Sequence, residues 1–470
     1  MRTYEEENAA LLQDILDDSF LKGFKNPADA RYPGTSLELN ITASCNQKCE
    51  YCYLTKFGAE IYPLKIRKPD DILKNTQILV DYFIENRMNP KNIDLFSGEI
   101  WGTKLANGIF DIILDAIKNK GWGITYIMIP SNMSFILDPK KLEYVEYYIE
   151  EFKKVGCRMC FSASIDGPII EEQERSFKDE KMNGLRDNSF YDQLFAWCKK
   201  NYFAFHPMVS AHGIDKWIEN YKWWQKMFTK YRLDPLEYGM YLEVRNDEWN
   251  LETIDHYYNF LNFMIDYDFK EIFNCEIDTW MKEAILTESN PKKGYFPYVL
   301  LNNGNTYNCT INTSFIVRMG DLAIGPCHRT HYEKFLYGRF KVENDKIVGL
   351  EANNVQLANL ILNQSHKGLM KCEKCPISMH CMRGCLGAQY EATGEILQPC
   401  ESVCQLLKAR VIFLYTKYTK MGLFDYIFNE TDDAGRKSFV RKFTTDLMKL
   451  KEGEPNLWNY WETKALQKMQ

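Results

Sequence analysis

Three cysteines near the N-terminus carry the clearest chemical signal in this sequence. Cys45, Cys49 and Cys52 follow the spacing CxxxCxxC. Three thiolates can bind three irons of a four-iron cluster, which leaves the fourth iron open to a ligand that is not protein. Because cysteine accounts for 15 of the 470 residues, this spacing arises by chance in roughly 1–2% of such chains. Three buried cysteines without a metal are the alternative, and the spacing favours metal binding.

A second array of cysteines lies in the C-terminal half of the chain. Cys372, Cys375, Cys381 and Cys385 follow the spacing CxxCxxxxxCxxxC, which arises by chance in well under roughly one chain in a thousand. Fifteen cysteines without a secretion signal favour metal-binding thiolates over disulfides. Zinc is an alternative occupant, because CxxC pairs also suit tetrahedral sites. The cysteines that flank this array are Cys309, Cys327, Cys400 and Cys404.

The first cysteine loop must be positioned by the segment before it. Residues 37–41 alternate between apolar and polar side chains, which predicts a strand that ends shortly before Cys45. Loops at the C-terminal ends of strands carry the chemistry of α/β barrels. Strand and helix patterns alternate from there, and six βα units in series predict a parallel sheet with right-handed crossovers, folded as a partial barrel. The predicted strands are Leu37–Ile41, Asn92–Phe96, Ile124–Ile129, Arg158–Ser164, Ala204–Ser210 and Met240–Val244.

Small and acidic residues follow several of these predicted strands. The second strand runs into residues 97–100 (Ser-Gly-Glu-Ile), the third ends at Asn132, and the fourth runs into residues 162–168 (Ser-Ala-Ser-Ile-Asp-Gly-Pro). A carboxylate suits a cationic ligand, and glycine lets the backbone approach closely. Small polar side chains can hydrogen-bond ligand hydroxyls. Taken alone, each segment is also an ordinary turn signal.

The first cysteine motif, with the aromatic Tyr51 before its third cysteine, resembles the cluster loop of the radical S-adenosylmethionine (SAM) enzymes. The resemblance implies that SAM binds the open iron and that an electron from the cluster cleaves it to a 5′-deoxyadenosyl radical. It also implies an α/β fold with a partial (β/α)6 TIM barrel. Residues 97–100 resemble the family's Gly-Gly-Glu-Pro segment, with Ser and Ile at two of its four positions, and residues 164–168 resemble its Ser-x-Asp-Gly-Pro segment. The SAM-binding residues implied in this way are Tyr51, Ser97, Gly98, Glu99, Asn132, Ser164 and Asp166, with Glu99 facing the ammonium group.

The second array resembles the SPASM domain of peptide-modifying radical SAM enzymes, in which two auxiliary four-iron clusters share interleaved ligands. The resemblance therefore implies three 4Fe-4S clusters in total. The family's cysteine before Cys309 has no match, so the nearer auxiliary cluster has an open iron or takes the spare Cys404. The implied ligands are Cys309, Cys327 and Cys385 for the nearer cluster, and Cys372, Cys375, Cys381 and either Cys400 or Cys404 for the outer one.

A histidine directly follows one of these cysteines. His328 lies beside Cys327, where some relatives have an aspartate that serves as a base. We expect His328 to be catalytic, as a base or as a donor to a cluster sulfur. A structural histidine with satisfied hydrogen bonds is the alternative. Cys157 and Cys160 form a CxxC pair at the entry to the fourth strand. We expect them to be buried core residues, with redox or metal use as the alternative, and we expect the same of the isolated Cys198 and Cys275.

Length and composition bound the architecture. A chain of 470 residues with 45% hydrophobic and 26% charged residues is expected to be globular and to form two or three domains. The net charge of −6 argues against a nucleic-acid partner. Without a signal peptide or an apolar run of membrane-spanning length, we expect a cytoplasmic protein that does not bind membranes. The predicted domains are an N-terminal helix (residues 1–35), a radical SAM partial barrel (36–290), a SPASM domain (291–405) and a C-terminal helical segment (406–470).

The leading functional hypothesis is a radical SAM/SPASM maturase of a ribosomally made, Cys-rich precursor peptide. Resemblance to the maturases of cysteine-repeat precursors implies thioether formation between a Cys sulfur and a carbon of another residue. The alternatives are a formylglycine-forming sulfatase maturase, another peptide modification (C–C crosslinking or epimerisation), and a cluster protein that only transfers electrons. The expected electron donor is a flavodoxin or ferredoxin. Only 44 residues precede Cys45, too few for a packed leader-binding domain, so leader binding is absent, built differently or supplied by a separate protein.

Overall fold

The computed structural model of the chain forms two compact units, which we describe separately. The first comprises Met1–His206 with Cys309–Gly368, and the second comprises Pro207–Asn308 with Leu369–Gln470. The predicted domain boundaries, after residues 35, 290 and 405, do not coincide with the boundaries of these two units. The structure describes residues 3–28, 36–96, 98–234, 242–244, 246–267, 314–363, 372, 374–378, 380, 385–430 and 434–470. Within these ranges, none of the helices combines the length and the apolar character that a bilayer crossing requires.

The first unit is built on a mixed sheet whose core is parallel. Its strand order is β11-β10-β9-β8-β1-β2-β3-β4-β5, and β1 to β5 pair in parallel with helices between them. The predicted α/β class with a parallel series of strands is therefore confirmed. The parallel strands are β1 (Ser36–Asn40), β2 (Ile93–Asp94), β3 (Tyr126–Ser131), β4 (Arg158–Ala163) and β5 (Ala204–Phe205). The main helices of this unit are Tyr4–Leu16, Tyr53–Ile61, Pro69–Glu85, Ala106–Lys120, Pro139–Lys154, Pro168–Glu174, Asn188–Asn201 and Val355–Leu362.

The two faces of this sheet differ in polarity. Leu37 is in register with Phe315, and the Phe315 ring packs against Phe83 of the helix Pro69–Glu85. The opposite face carries Glu38 and Asn40, which are also buried. Parallel strands covered by helices on both faces usually read as continuous apolar runs. The polar face therefore indicates an interior that is not a dry hydrophobic core.

The predicted fifth strand is broken at a proline. Its first part, β5, pairs with β4, and its second part, β6 (Met208–Val209), pairs in parallel with β7 (Leu242–Glu243) in the second unit. Pro207 separates the two parts, and proline has no N–H for a strand ladder. Of the predicted sixth strand, Met240–Val244, residues 240 and 241 lie outside the described residues.

The sheet also continues on the other side of β1. β8 (Ser314–Arg318) pairs in parallel with β1, and β9 (Ala323–Gly325), β10 (Gly338–Glu343) and β11 (Lys346–Ala352) follow in antiparallel order. The sequence analysis predicts that residues after 290 form a separate domain, and residues 314–352 instead complete the first unit's sheet. The physical reason is that Ser314–Arg318 is a fully buried strand, which needs a neighbour on its hydrogen-bonding edge.

The second unit is mainly helical. Glu243 at the end of β7 is buried, accepts a hydrogen bond from the Tyr257 hydroxyl at 2.5 Å and pairs with Arg410 at 3.0 Å. This ion pair gives Glu243 a structural role. The helices of this unit are Trp217–Tyr231, Leu251–Tyr267, Leu386–Thr393, Glu401–Lys420, Leu423–Glu430, Ala434–Gly453 and Pro455–Lys468.

Candidate radical SAM site

The first cysteine motif forms a compact loop between β1 and the helix Tyr53–Ile61. Cys52 is the residue before this helix, and its N–H donates to the Cys49 carbonyl at 3.2 Å. Burial, and next the charge of Glu99, raises the pKa of Cys45 to about 12. Burial also raises the pKa of Cys49, and the other two cysteines of the motif add to this effect. The three sulfurs therefore lie close enough to repel one another as thiolates, which is the arrangement that bound iron would stabilise.

The cysteine loop is held by the segment that follows the helix Pro168–Glu174. Residues 46–50 run antiparallel to residues 174–178, with Gln47 and Phe177 bridged. The N–H groups of Lys48 and Glu50 donate to the carbonyls of Ser176 and Glu174, both at 2.9 Å. Backbone hydrogen bonds of this kind fix the shape of a loop that has no regular structure of its own.

Two of the predicted SAM-binding residues contact each other beneath this loop. The Tyr51 hydroxyl donates to Asp166 at 2.5 Å, and Asp166 forms a two-pronged ion pair with Arg175 at 2.6 and 3.1 Å. Asp166 is fully buried and the Arg175 guanidinium lies 5.2 Å from the centre of the Tyr51 ring. The structure thus gives Tyr51 and Asp166 a role in holding the loop, and their contact with SAM stays a prediction. Arg175 was not expected from the sequence, because its pairing with Asp166 depends on how the segment after β4 folds over the loop.

Glu99 is a buried carboxylate whose described hydrogen-bond partners are all neutral. It accepts from the N–H of Asn132 at 2.7 Å, from the hydroxyl of Ser131 at 3.1 Å and from the N–H of Trp101 at 3.3 Å. Only 1% of its surface is exposed, and burial raises the pKa of Glu99 to about 7. A buried carboxyl that meets only neutral donors is well suited to a cationic ligand, which would favour its ionised form.

Gly98 allows the segment after β2 to lie directly against the cysteine loop. The N–H of Gly98 donates to Thr42, and the N–H of Glu99 donates to Ser44, both at 2.8 Å. A Cβ at Gly98 would lie 2.0 Å from the Ser44 carbonyl oxygen, so no other residue fits without moving the backbone. Ser97 lies outside the described residues.

Asn132, at the end of β3, connects Glu99 to the cysteine loop. Its N–H donates to Glu99, and its side-chain amide donates to Asn46 at 2.7 Å and lies 3.9 Å from the Cys45 sulfur. The next residue, Met133, is fully buried in a left-handed conformation with φ 59°. Non-glycine residues in this conformation are strained and concentrate at functional sites.

The end of β4 lies beside this point. The N–H of Ser164 donates to the Ser131 carbonyl at 2.8 Å, and the Ser164 side chain is partly exposed. The contacts of Asn132 and Ser164 with SAM stay predictions.

Cys327 and His328 also belong to the first unit. His328 Nδ1 and Glu38 Oε1 are 2.7 Å apart, and the His328 ring stacks on Phe96 at 4.8 Å with 5° between the planes. Burial raises the pKa of Tyr53, and Cys52, Glu38 and Cys327 raise it further. Cys327 therefore lies on the same side of the unit as the cysteine loop. The catalytic role of His328 stays a prediction.

Three cysteines from the C-terminal half of the chain lie together in the second unit. Cys372, Cys375 and Cys404 line one cavity of about 200 Å³, whereas Cys400 does not line it and lies 3.2 Å from the Ser402 hydroxyl. Cys404 lies in the first turns of the helix Glu401–Lys420, where the helix dipole favours negative charge. Of the two open alternatives, this geometry favours Cys404 as a ligand of the outer cluster. Cys385 precedes the helix Leu386–Thr393, and two predicted ligands, Cys309 and Cys381, lie outside the described residues.

The donor set of the first site fits an iron–sulfur cluster, because Cys45, Cys49 and Cys52 supply the thiolates that such clusters take. Among the described residues, no three His, Cys, Asp or Glu side chains surround one point closely enough to hold a metal ion. Cys157, Cys160 and Cys198 are buried, as predicted.

The chain has distant likenesses to solved structures. The protein anSMEcpe with bound AdoMet has 15% sequence identity, a TM-score of 0.49 and coverage of 83% of this chain and 98% of the other. SuiB of Streptococcus suis bound to S-adenosylmethionine has 12% identity, a TM-score of 0.42 and coverage of 85% and 78%. No family model and no curated protein matches the chain.

Proposed function

We propose that this protein is a radical SAM enzyme. The observation that carries this proposal is the junction of three chain segments. Asn132 donates to Glu99 and lies against the Cys45 sulfur, so the ends of β1, β2 and β3 bring three thiols and one buried carboxylate together. The resemblance of the cysteine motif to the radical SAM loop supports the same conclusion. A four-iron cluster with SAM bound there supplies a 5′-deoxyadenosyl radical, which removes a hydrogen atom from the substrate.

The residues of the site have separate roles in this proposal. Cys45, Cys49 and Cys52 hold the cluster, and Glu99 pairs with the ammonium group of SAM. Gly98 permits the close backbone contact that places Glu99. A cluster protein that only transfers electrons has no need of a buried carboxylate beside its thiols, so Glu99 argues against that alternative.

We further propose that the substrate is a ribosomally made peptide and that the product is a thioether. It is supported by the second cysteine array, whose resemblance is to peptide-modifying enzymes, and by Cys327 on the same side as the first site. In this reaction a Cys S–H and an acceptor C–H become a C–S bond. Bound SAM would supply the acceptor of one hydrogen atom, a base of this chain would take the thiol proton, and an iron–sulfur cluster held by the second cysteine array would accept the remaining electron. His328 is the candidate base.

The test is the mass and reactivity of the product. The anaerobically reconstituted protein is incubated with SAM, a reductant and a Cys-rich peptide. Thioether formation predicts the loss of two hydrogens per link and a cysteine that no longer reacts with alkylating reagents. A carbonyl in place of the thiol would instead identify the formylglycine-forming alternative. An unchanged mass with an alkylatable cysteine would reject both crosslinking and formylglycine formation.

A further inference from the structure

The face of the parallel sheet that carries Glu38 is partly exposed on β3. On β3 the side chains of Tyr126, Met128 and Pro130 are partly exposed, whereas the alternate residues, Ile127 and Ile129 among them, are buried. Glu38 and Asp94 are opposite each other on β1 and β2, and Asp94 is opposite Met128. Because side chains of paired residues project to the same face, both carboxyl groups lie on the face that carries Met128.

Among the described residues, no lysine or arginine forms an ion pair with either carboxyl group. Glu38 is fully buried and pairs with His328 through Oε1, while its Oε2 is buried and has no hydrogen-bond partner in the described part of the chain. Asp94 is 6% exposed and accepts from the Asn92 amide at 2.6 Å. Burial and the charge of Glu38 raise the pKa of Asp94 to about 6. Two adjacent carboxyl groups in a low-dielectric site repel each other unless a proton or a cation lies between or beside them.

We infer that Glu38 and Asp94 form a recognition site for a positively charged side chain, Lys or Arg, of the substrate. This inference rests on the proposed function for the peptide nature of the substrate. Asp94 retains exposed surface, so it is the carboxylate that the incoming group contacts, and Glu38 adds its charge from the neighbouring strand. The aliphatic stem of such a side chain would lie against the half-buried Phe96 and Met128, as the stems of Lys and Arg do on apolar surfaces.

A metal ion is the less suitable occupant. Among the described residues there is no group of three ligands for one ion, although Glu38, Asp94 and His328 lie near one another. An ammonium or guanidinium group needs only one or two acceptors in the right direction, and charge-assisted hydrogen bonds to a carboxylate are about twice as strong as neutral ones. The pair is also separate from Glu99, which lies beyond the end of β2 and contacts Ser131 and Asn132.

The test measures peptide binding by the reconstituted holoenzyme with SAM and without reductant, so that no turnover occurs. The probes are capped peptides Gly-Cys-Gly-Xaa-Gly in which Xaa is Lys, norleucine or Glu. The Lys peptide is expected to bind at least about tenfold more tightly than the norleucine peptide, the factor that corresponds to about 1.4 kcal/mol, and the Glu peptide more weakly still. Asp94→Asn is expected to remove the difference between Lys and norleucine. Asp345→Asn, which removes an exposed pair with Lys74, is the matched control and should retain it.

The outcomes separate this inference from the proposed function. Equal binding of the Lys and norleucine peptides by the wild-type protein would overturn the inference, and so would an undiminished preference in Asp94→Asn. The wild-type comparison needs no variant, so it is decisive even if Asp94→Asn does not fold. SAM cleavage in the absence of peptide is measured in parallel. For the wild-type protein, equal binding of the Lys and norleucine peptides with normal SAM cleavage rejects only the recognition site, and a Lys preference without SAM cleavage rejects only the radical SAM assignment.

Discussion

Glu99 is the residue whose environment bears most directly on the proposed chemistry. Its carboxylate is buried, and its described hydrogen-bond partners are neutral N–H and O–H groups. The folded protein holds this group with a pKa of about 7, against an ordinary value of 4.5. Its contribution to stability is therefore present below the ordinary pKa and is lost as the pH rises through about 7. A bound cation lowers the pKa of Glu99 again, because it favours the ionised carboxylate.

Replacing Glu99 by Gln is expected to weaken SAM binding by about tenfold or more. The shape of the side chain is kept, but a charge-assisted hydrogen bond worth roughly 1.5–3 kcal/mol is lost. Near pH 6.5, SAM binding to the wild-type holoenzyme should also release more protons than binding to Glu99→Gln, because the protonated Glu99 carboxyl must ionise to pair with the ammonium group. Titration calorimetry in two buffers of different ionisation enthalpy measures both quantities. Unchanged affinity in Glu99→Gln, with the same proton release, would refute the assignment.

In the second cysteine array, Cys400 and Cys404 are the two alternative ligands of the outer cluster, and the structure favours Cys404. It shares a cavity with Cys372 and Cys375, and Cys400 does not. Cys404→Ala should therefore lower the iron content of the reconstituted protein by up to about four atoms, the content of one cluster. Cys400→Ala is the matched control and should retain the iron. Iron loss in Cys400→Ala alone would show that the outer cluster uses the other cysteine.

At the scale of elements, the site depends on how closely the segment after β2 approaches the cysteine loop. Gly98 and Glu99 donate backbone hydrogen bonds to Thr42 and Ser44, at distances that only glycine permits at residue 98. This contact fixes the position of Glu99 relative to Cys45. The ion pair of Asp166 and Arg175 fixes the other side of the same loop.

Gly98→Ala is expected to disrupt this contact. The added methyl group would lie 2.0 Å from the Ser44 oxygen, and forced overpacking costs about 1–3 kcal/mol of stability. Gly184→Ala is the control, because the space around Gly184 is open and its φ of −70° suits any residue. We expect Gly98→Ala to melt at a lower temperature and to bind less iron at the first site, with Gly184→Ala unchanged in both. Equal melting temperatures and iron contents for the two variants would contradict the importance of the contact.

Local signals made part of this site predictable from the sequence. The spacing of Cys45, Cys49 and Cys52 and the position of Glu99 after a strand depend on neighbouring residues, and the structure brings them together. The break at Pro207 was missed, although proline lacks the N–H of a strand ladder. The pairing of Asp166 with Arg175 and Tyr51 was not predictable, since it depends on how the segment after β4 folds back over the loop.

At the scale of the whole molecule, the main departure from the sequence analysis is the continuation of the sheet beyond β1. Leu37 pairs with Phe315, residues so far apart in the chain that no local pattern joins them. Composition alone, with its dense cysteines and short strands, indicated a separate domain from residue 291. The structure instead places Cys327 in the same unit as Cys45, and Cys372 and Cys404 in the other unit.

The most direct test of the radical SAM assignment is the cleavage of SAM itself. The anaerobically reconstituted protein is given SAM and dithionite, and 5′-deoxyadenosine is measured by chromatography. We expect 5′-deoxyadenosine from the wild-type protein with about twelve irons. We expect none from the variant in which Cys45, Cys49 and Cys52 are all replaced by Ala, which should retain about eight irons. No 5′-deoxyadenosine from iron-loaded wild-type protein, or equal amounts from the triple variant, would contradict the assignment.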